Sequence, residues 1–189
     1  MLRNYLILGL SLCSIFYWSN RKEIAFKMAT LTDQSTSIHE ASHLFVYWQL
    51  CQEKGYEFRP TKLTIIPSMN DSMIEYGYLT FPLKLVTNDT DLVAILLAGE
   101  IGTQEYLKQP LNILSPSKMK GIYSSDLITA AELIRNDLLF KKQIKRCKKL
   151  ISIETIQKIA VYVYSKKEVT NFHEILTLIK QENKFGYTN

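Results

Sequence analysis

Hydrophobic and polar residues change rhythm several times along the 189-residue chain. Residues 5–18 are almost continuously apolar, with Arg3 before them and Arg21 and Lys22 after them. Such a run is short for a spanning helix, which needs about 20 residues. Yet Phe16, Tyr17 and Trp18 stand where a cleaved leader would carry small residues. Tyr5, Tyr17 and Trp18 suit the two interfaces of a bilayer. The expectation is an uncleaved membrane anchor over residues 1–20, a polar connector over 21–31 and one domain over 32–189.

Residues 32–51 contain neither Pro nor Gly and begin among Thr32, Asp33, Ser35, Thr36 and Ser37, all candidate N-caps. They stop before Gly55, and the combination predicts a helix. Two β-rich runs follow at 63–66 and 76–81, separated by Pro67, Asn70 and Asp71, which predicts an antiparallel pair with a long connection. Helical spacing returns with Leu92, Ile95, Leu96 and Gly99. The Pro-, Ser- and Gly-containing stretch 109–125 is longer than most connections and is a candidate functional loop. Another helix starts at "SSDLITAAELIRNDLL", with an apolar stripe of Leu127, Ala130, Ala131, Ile134 and Leu138, and two more are read over 154–164 and 171–181. The predicted fold class is mainly α with a small antiparallel β element beside the first helix.

Composition, 47% hydrophobic and 22% charged, is that of a globular domain and leaves this picture unchanged. The formal net charge of +5 changes it locally, because much of it comes from "KKQIKRCKK" at 141–149. A solvated face is the plain reading of that run. No aromatic platform or reader motif accompanies it, so nucleic acid is not an expected partner, and anionic lipid headgroups fit the charge better. Cys13, Cys51 and Cys147 are odd in number and irregular in spacing, which excludes a disulfide framework and a cysteine metal site. A cytoplasmic setting for the domain follows as the default.

The chemistry lies in "SIHEASHLF" at 37–45. Residues four apart share a helix face, so His39 and His43 can offer both imidazoles to one ion. Glu40, about a hundred degrees further round, can reach a water beside that ion. His-Glu-x-x-His is the spacing of zinc peptidases, in which zinc activates the water and the glutamate carries its proton to the leaving amine. A structural account competes: Ser37 and Glu40 have capping-box spacing, and the histidines could cover a polar face. A third ligand decides. Gln49 excludes a third histidine at metzincin spacing, and His173 reads as a partly exposed helix residue. Asp126 follows "YSS" at a helix start, where the helix dipole favours its charge; its alternative is a simple cap.

The order "IHEASH", "KLTIIPSMNDSMIEYGYLTF", "LVAILLAGEIGTQEYL" and "SSDLITAAELI" resembles the peptidase domain of the FtsH family of membrane-anchored AAA zinc proteases. There a His-Glu-Ala-Gly-His helix precedes a Val-Thr-Ile-Ile-Pro strand, a Gly-Tyr strand, a Leu-Leu-Gly-Gly helix and an Asn-Asp-Leu helix start. The likeness runs over residues 32–139, with a weaker echo in "SKKEVTNFHEILTLI". It implies that His39, His43 and Asp126 hold Zn2+, that Glu40 is the general base, and that Leu63, Thr64, Ile65 and Ile66 form an edge strand pairing with a polypeptide substrate. It also implies a ring assembly and a membrane-anchored chain. Ser42 departs from the family's glycine, Ala98 and Glu100 stand where glycine and arginine are common, and Ser125 replaces an asparagine. No Gly-x-x-x-x-Gly-Lys-Ser/Thr loop occurs among the 189 residues, so an AAA ATPase is expected only in trans. Three readings stay open: a zinc endopeptidase acting on unfolded or loosely folded polypeptides, a catalytically silent module that regulates a related protease or its substrates, and a helical membrane protein that binds no metal and whose histidines are incidental.

Overall fold

The computed structural model of the chain describes residues 22–23, 26–27, 29–70, 73–75, 77–119 and 124–185. It is mainly helical with a small antiparallel sheet, as the periodicities predict. Helix α1 (Leu31–Lys54) is followed by β1 (Lys62–Thr64), the ribbon strands β2 (Ser68–Asn70) and β3 (Met73–Glu75), and β4 (Tyr78–Thr80). Then come α2 (Asp89–Tyr106), α3 (Ser125–Leu133), α4 (Asp137–Leu150), α5 (Ile153–Lys166), β5 (Glu168–Val169) and α6 (His173–Phe185).

Helix α1 is the axis of the molecule. Its cap is Thr30, whose hydroxyl accepts the Asp33 N–H, and Gly55 ends it in the left-handed region at φ 72°. Ser37 is therefore not a cap: it sits inside the helix, buried, with its hydroxyl donating to the Asp33 carbonyl at 2.8 Å. The capping-box account of Glu40 falls with it. From Ser37 to Cys51 only His39 and Gln49 escape full burial, because apolar clusters lie on two sides of the helix. One joins α1 to β1, α5, β5 and α6 through Ile38, Phe45, Leu63, Ile159 and Ile175. The other joins it to α2, α3 and α4 through Tyr47, Leu50, Leu97, Leu127 and Phe140. A helix enclosed all round needs no polar face, which frees its few polar residues for other work.

The sheet order is β4-β1-β5, antiparallel throughout, with Leu63 opposite both Leu79 and Val169. This corrects the edge-strand expectation for residues 63–66. β1 is central, both its edges are occupied, and the Ile65 N–H is committed to the Lys167 carbonyl at 2.9 Å. Leu63, Thr64 and Ile65 are buried; only Ile66 is exposed. Gly77, at the start of β4, lets the sheet close on α1: a Cβ there would lie 2.9 Å from the Thr64 carbonyl oxygen and 3.0 Å from both Glu40 Cγ and Thr36 Cγ2.

Two further expectations change. The stripe read through Ile134 and Leu138 is broken, since Asn136 caps a new helix by accepting the Leu139 N–H at 3.0 Å. The membrane-anchored localisation is also corrected: no helix among the described residues is long and apolar enough to cross a membrane. Even α1, at 24 residues, carries Asp33, Glu40, Glu53 and Lys54, too many charges for hydrocarbon. The anchor expected over residues 1–20 lies outside the described residues. Within the stretch read as a connector, Phe26 is buried, edge-on to Tyr164 at 5.7 Å between ring centroids.

Candidate metal centre

Three elements converge on one point. His39 and His43 project from adjacent turns of α1 with ring centroids 4.7 Å apart. Asp126 arrives on the first turn of α3, whose cap is Ser124, accepting the Leu127 N–H. With the cap supplied by Ser124, the Asp126 side chain is free to turn inward. Its Oδ2 lies 3.3 Å from His39 Nε2 and 3.1 Å from His43 Nε2. Across 87 residues of sequence, the chain has brought together a donor set that can hold a metal ion, with all three ligand atoms within 4.8 Å of one another.

Donor spacing supports that fit. Bonds of about 2.0–2.2 Å arranged tetrahedrally around a zinc-sized ion set donor atoms about 3.3 Å apart, close to the two separations seen here. Helix α2 supplies the room. A Cβ on Gly99 would lie 2.4 Å from the Nε2 atoms of both histidines, so the glycine's missing side chain leaves open the space that a cation shared by the rings needs. One turn earlier on the same helix, the Ile95 carbonyl accepts from His43 Nδ1 at 2.7 Å. That bond fixes the ring and directs Nε2 to the site, a common outer-shell arrangement of metal-binding histidines.

The same approach of α1 and α2 explains Ser42. A Cβ on Gly102 would lie 2.0 Å from Ser42 Oγ, and that hydroxyl donates to the Ile38 carbonyl at 2.7 Å. The serine between the two histidines is thus accommodated by a glycine on the facing helix. Sequence reasoning missed Gly99, Gly102 and the Ile95 carbonyl as parts of the site. The signal was present: two glycines three apart inside an apolar helix each cost roughly 1 kcal/mol against alanine, which marks close approach by another element.

The electrostatics suit a cation. Burial disfavours the charged form of His43, but the Asp126 carboxylate, aided by Glu40 and the Ile95 carbonyl, more than offsets this and raises its pKa to about 9. Burial alone would raise the Asp126 pKa, yet the neighbouring imidazoles hold it below the usual carboxylate range. Because side-chain exposure is 8% for His43, 22% for His39 and 30% for Asp126, the site opens to solvent on the His39 and Asp126 side. Glu40 is 5% exposed, with its Cγ against Gly77, and its charge acts on His43. His173 is exposed at the start of α6 and does not belong to the group.

Comparison of the chain with protein-family models, with curated proteins and with solved structures finds no match.

Proposed function

We propose that this chain is a zinc-dependent endopeptidase of the FtsH type, cutting unfolded or loosely folded polypeptides without an ATPase of its own. The observation that carries the reading is the Asp126 carboxylate within 3.3 Å of two imidazoles that stand in His-Glu-x-x-His order. A peptidase of this design needs two histidines, a distant carboxylate and a glutamate beside them, and here the glutamate is held on the same rigid helix.

His39, His43 and Asp126 would hold the ion. When bound, zinc supplies Lewis acidity, lowering the pKa of a water molecule to about 7 and polarising a carbonyl. Glu40 accepts the proton of the attacking water on its carboxylate and delivers it to the nitrogen of the departing amine. Its low exposure keeps bulk water from competing for that proton. The extended substrate pairs with the outer edge of β4, which carries no further strand among the described residues; Gly77, just before it, packs against Glu40. By the same resemblance, an AAA ATPase acting in trans unfolds structured substrates and the subunits form a ring; neither is required to cut a chain already unfolded.

The test uses the full chain loaded with zinc, a fluorophore-labelled unfolded polypeptide and no ATP. Wild type cleaves, whereas Glu40→Gln keeps one zinc per chain and loses turnover by roughly 10²–10⁴-fold. Equal cleavage by both proteins would refute the base. Stoichiometric zinc with no turnover on any unfolded substrate would favour the silent regulatory module.

A further inference from the structure

Away from the metal centre, the 14 residues of α4 hold six basic side chains and one acid. The rest of the chain holds 17 of each sign, so the whole formal net charge of +5 resides on this helix. Its distribution around the helix is uneven. At about 100° per residue, Leu138, Lys141, Lys142, Lys145 and Lys149 fall within a stripe roughly 100° wide and about 16 Å long. All five are exposed, Leu138 at 79%. The stripe lies opposite Phe140, Gln143 and Cys147, which are buried and seat the helix on the core.

The basic residues flanking the stripe are already engaged. Arg146 pairs with Asp91 and reaches Glu53 at 3.8 Å, and Lys148 pairs with Glu105 at 2.9 Å. Among the described residues, no carboxylate comes within ion-pair distance of Lys141, Lys142, Lys145 or Lys149. Asp137, one turn before Lys141, feels that lysine's charge without forming an ion pair with it; the four ammonium groups outnumber it and repel one another, and an anionic surface relieves that repulsion. The chemistry of the row favours one kind of surface. It contains ammonium point charges and a protruding leucine, with no guanidinium fork, amide or aromatic ring to read or stack a base. A lipid headgroup layer accepts both the ammonium groups and an apolar side chain; a phosphate groove has no use for the leucine.

We propose that the lysine stripe of α4 docks the protein on an anionic bilayer surface, with Leu138 inserted among the headgroups. The contact is peripheral and requires no spanning helix. At about fivefold in partitioning per lysine, neutralising three of them weakens binding about 100-fold.

The experiment is cosedimentation of the full chain with phosphatidylcholine vesicles and with 70:30 phosphatidylcholine:phosphatidylserine vesicles. The readout is the ratio between the two, so any apolar contribution common to both cancels. The expected result is strong preference for the anionic vesicles, lost in 0.5 M salt on the order of the screening expected there. The Lys141→Gln, Lys145→Gln, Lys149→Gln variant should lose it about 100-fold with an unchanged thermal midpoint. Leu138→Ser should weaken binding severalfold and leave the salt dependence intact. A ratio near one, or a ratio unmoved by the triple substitution, overturns the proposal. Tighter binding of a DNA duplex or of polyglutamate than of anionic vesicles overturns it in favour of those partners.

Discussion

Replacing Gly99 with alanine tests the metal centre through a residue that supplies no ligand. The added methyl would lie 2.4 Å from both histidine Nε2 atoms, where ordinary contact begins near 3.4 Å, so the rings must retreat by about 1 Å. Metal sites tolerate displacements of about 0.2 Å in their bonds. Helix α2 is held along its length by α1, α3 and α4 and cannot simply move away. The cost to metal-free stability is small, because overpacking of about 1–3 kcal/mol is partly offset by about 1 kcal/mol of helix propensity gained over glycine. Metal affinity should suffer more. Changes in outer-shell partners alone cost about 10–100-fold, and here two ligands are pushed directly, so a loss of at least about 100-fold is expected. Zinc competition against a chromophoric chelator measures the affinity, and thermal unfolding in chelator measures the metal-free fold. Wild-type affinity in Gly99→Ala would refute the placement of the ion between the two rings.

Gly102→Ala should destabilise the fold by about 1–3 kcal/mol, since its methyl would meet Ser42 Oγ; Ser42→Gly in the same chain should recover most of that loss, read as a coupling energy in urea unfolding. Arg146→Ala should cost about 3 kcal/mol by the same measurement, because it strips the ion-pair partner from the buried Asp91, whose remaining side-chain hydrogen bond among the described residues is from the Tyr56 hydroxyl at 2.8 Å. With His39, His43 and Asp126 as ligands, zinc at a hundredfold excess over its dissociation constant should add about 2.7 kcal/mol of stability, read as a rise of roughly 5–10 °C in the unfolding midpoint for a chain of this size. That rise should vanish in Asp126→Ala and in chelator.

The helices were legible wherever burial followed the local period. Helix α1 reads from its lack of Pro and Gly, and the fold adds one turn at most to either end. The break between α3 and α4 was not legible, because Leu138 continues the apolar spacing although it faces solvent; the Asn136 cap outweighed the stripe. Strand β5 is two residues long, too short to show any period, and it is the element that turned β1 from an edge into a centre. His39, His43 and Asp126, the group that the fold brings together, can be picked out from residue type, spacing and the order of motifs. What surrounds them cannot, because the vacancy above Gly99 and the Ile95 carbonyl exist only once α2 is packed across α1.

That the carboxylate rides on α3 while both imidazoles ride on α1 sets an order in time. A chain emerging from the ribosome exposes the histidine pair 83 residues before Asp126 has been made. Until α3 docks, a cation would meet a two-toothed clasp that releases it readily. Tight grip would therefore require α3 to have come to rest beside α1, so the site could close only after the chain between the two helices has found its place.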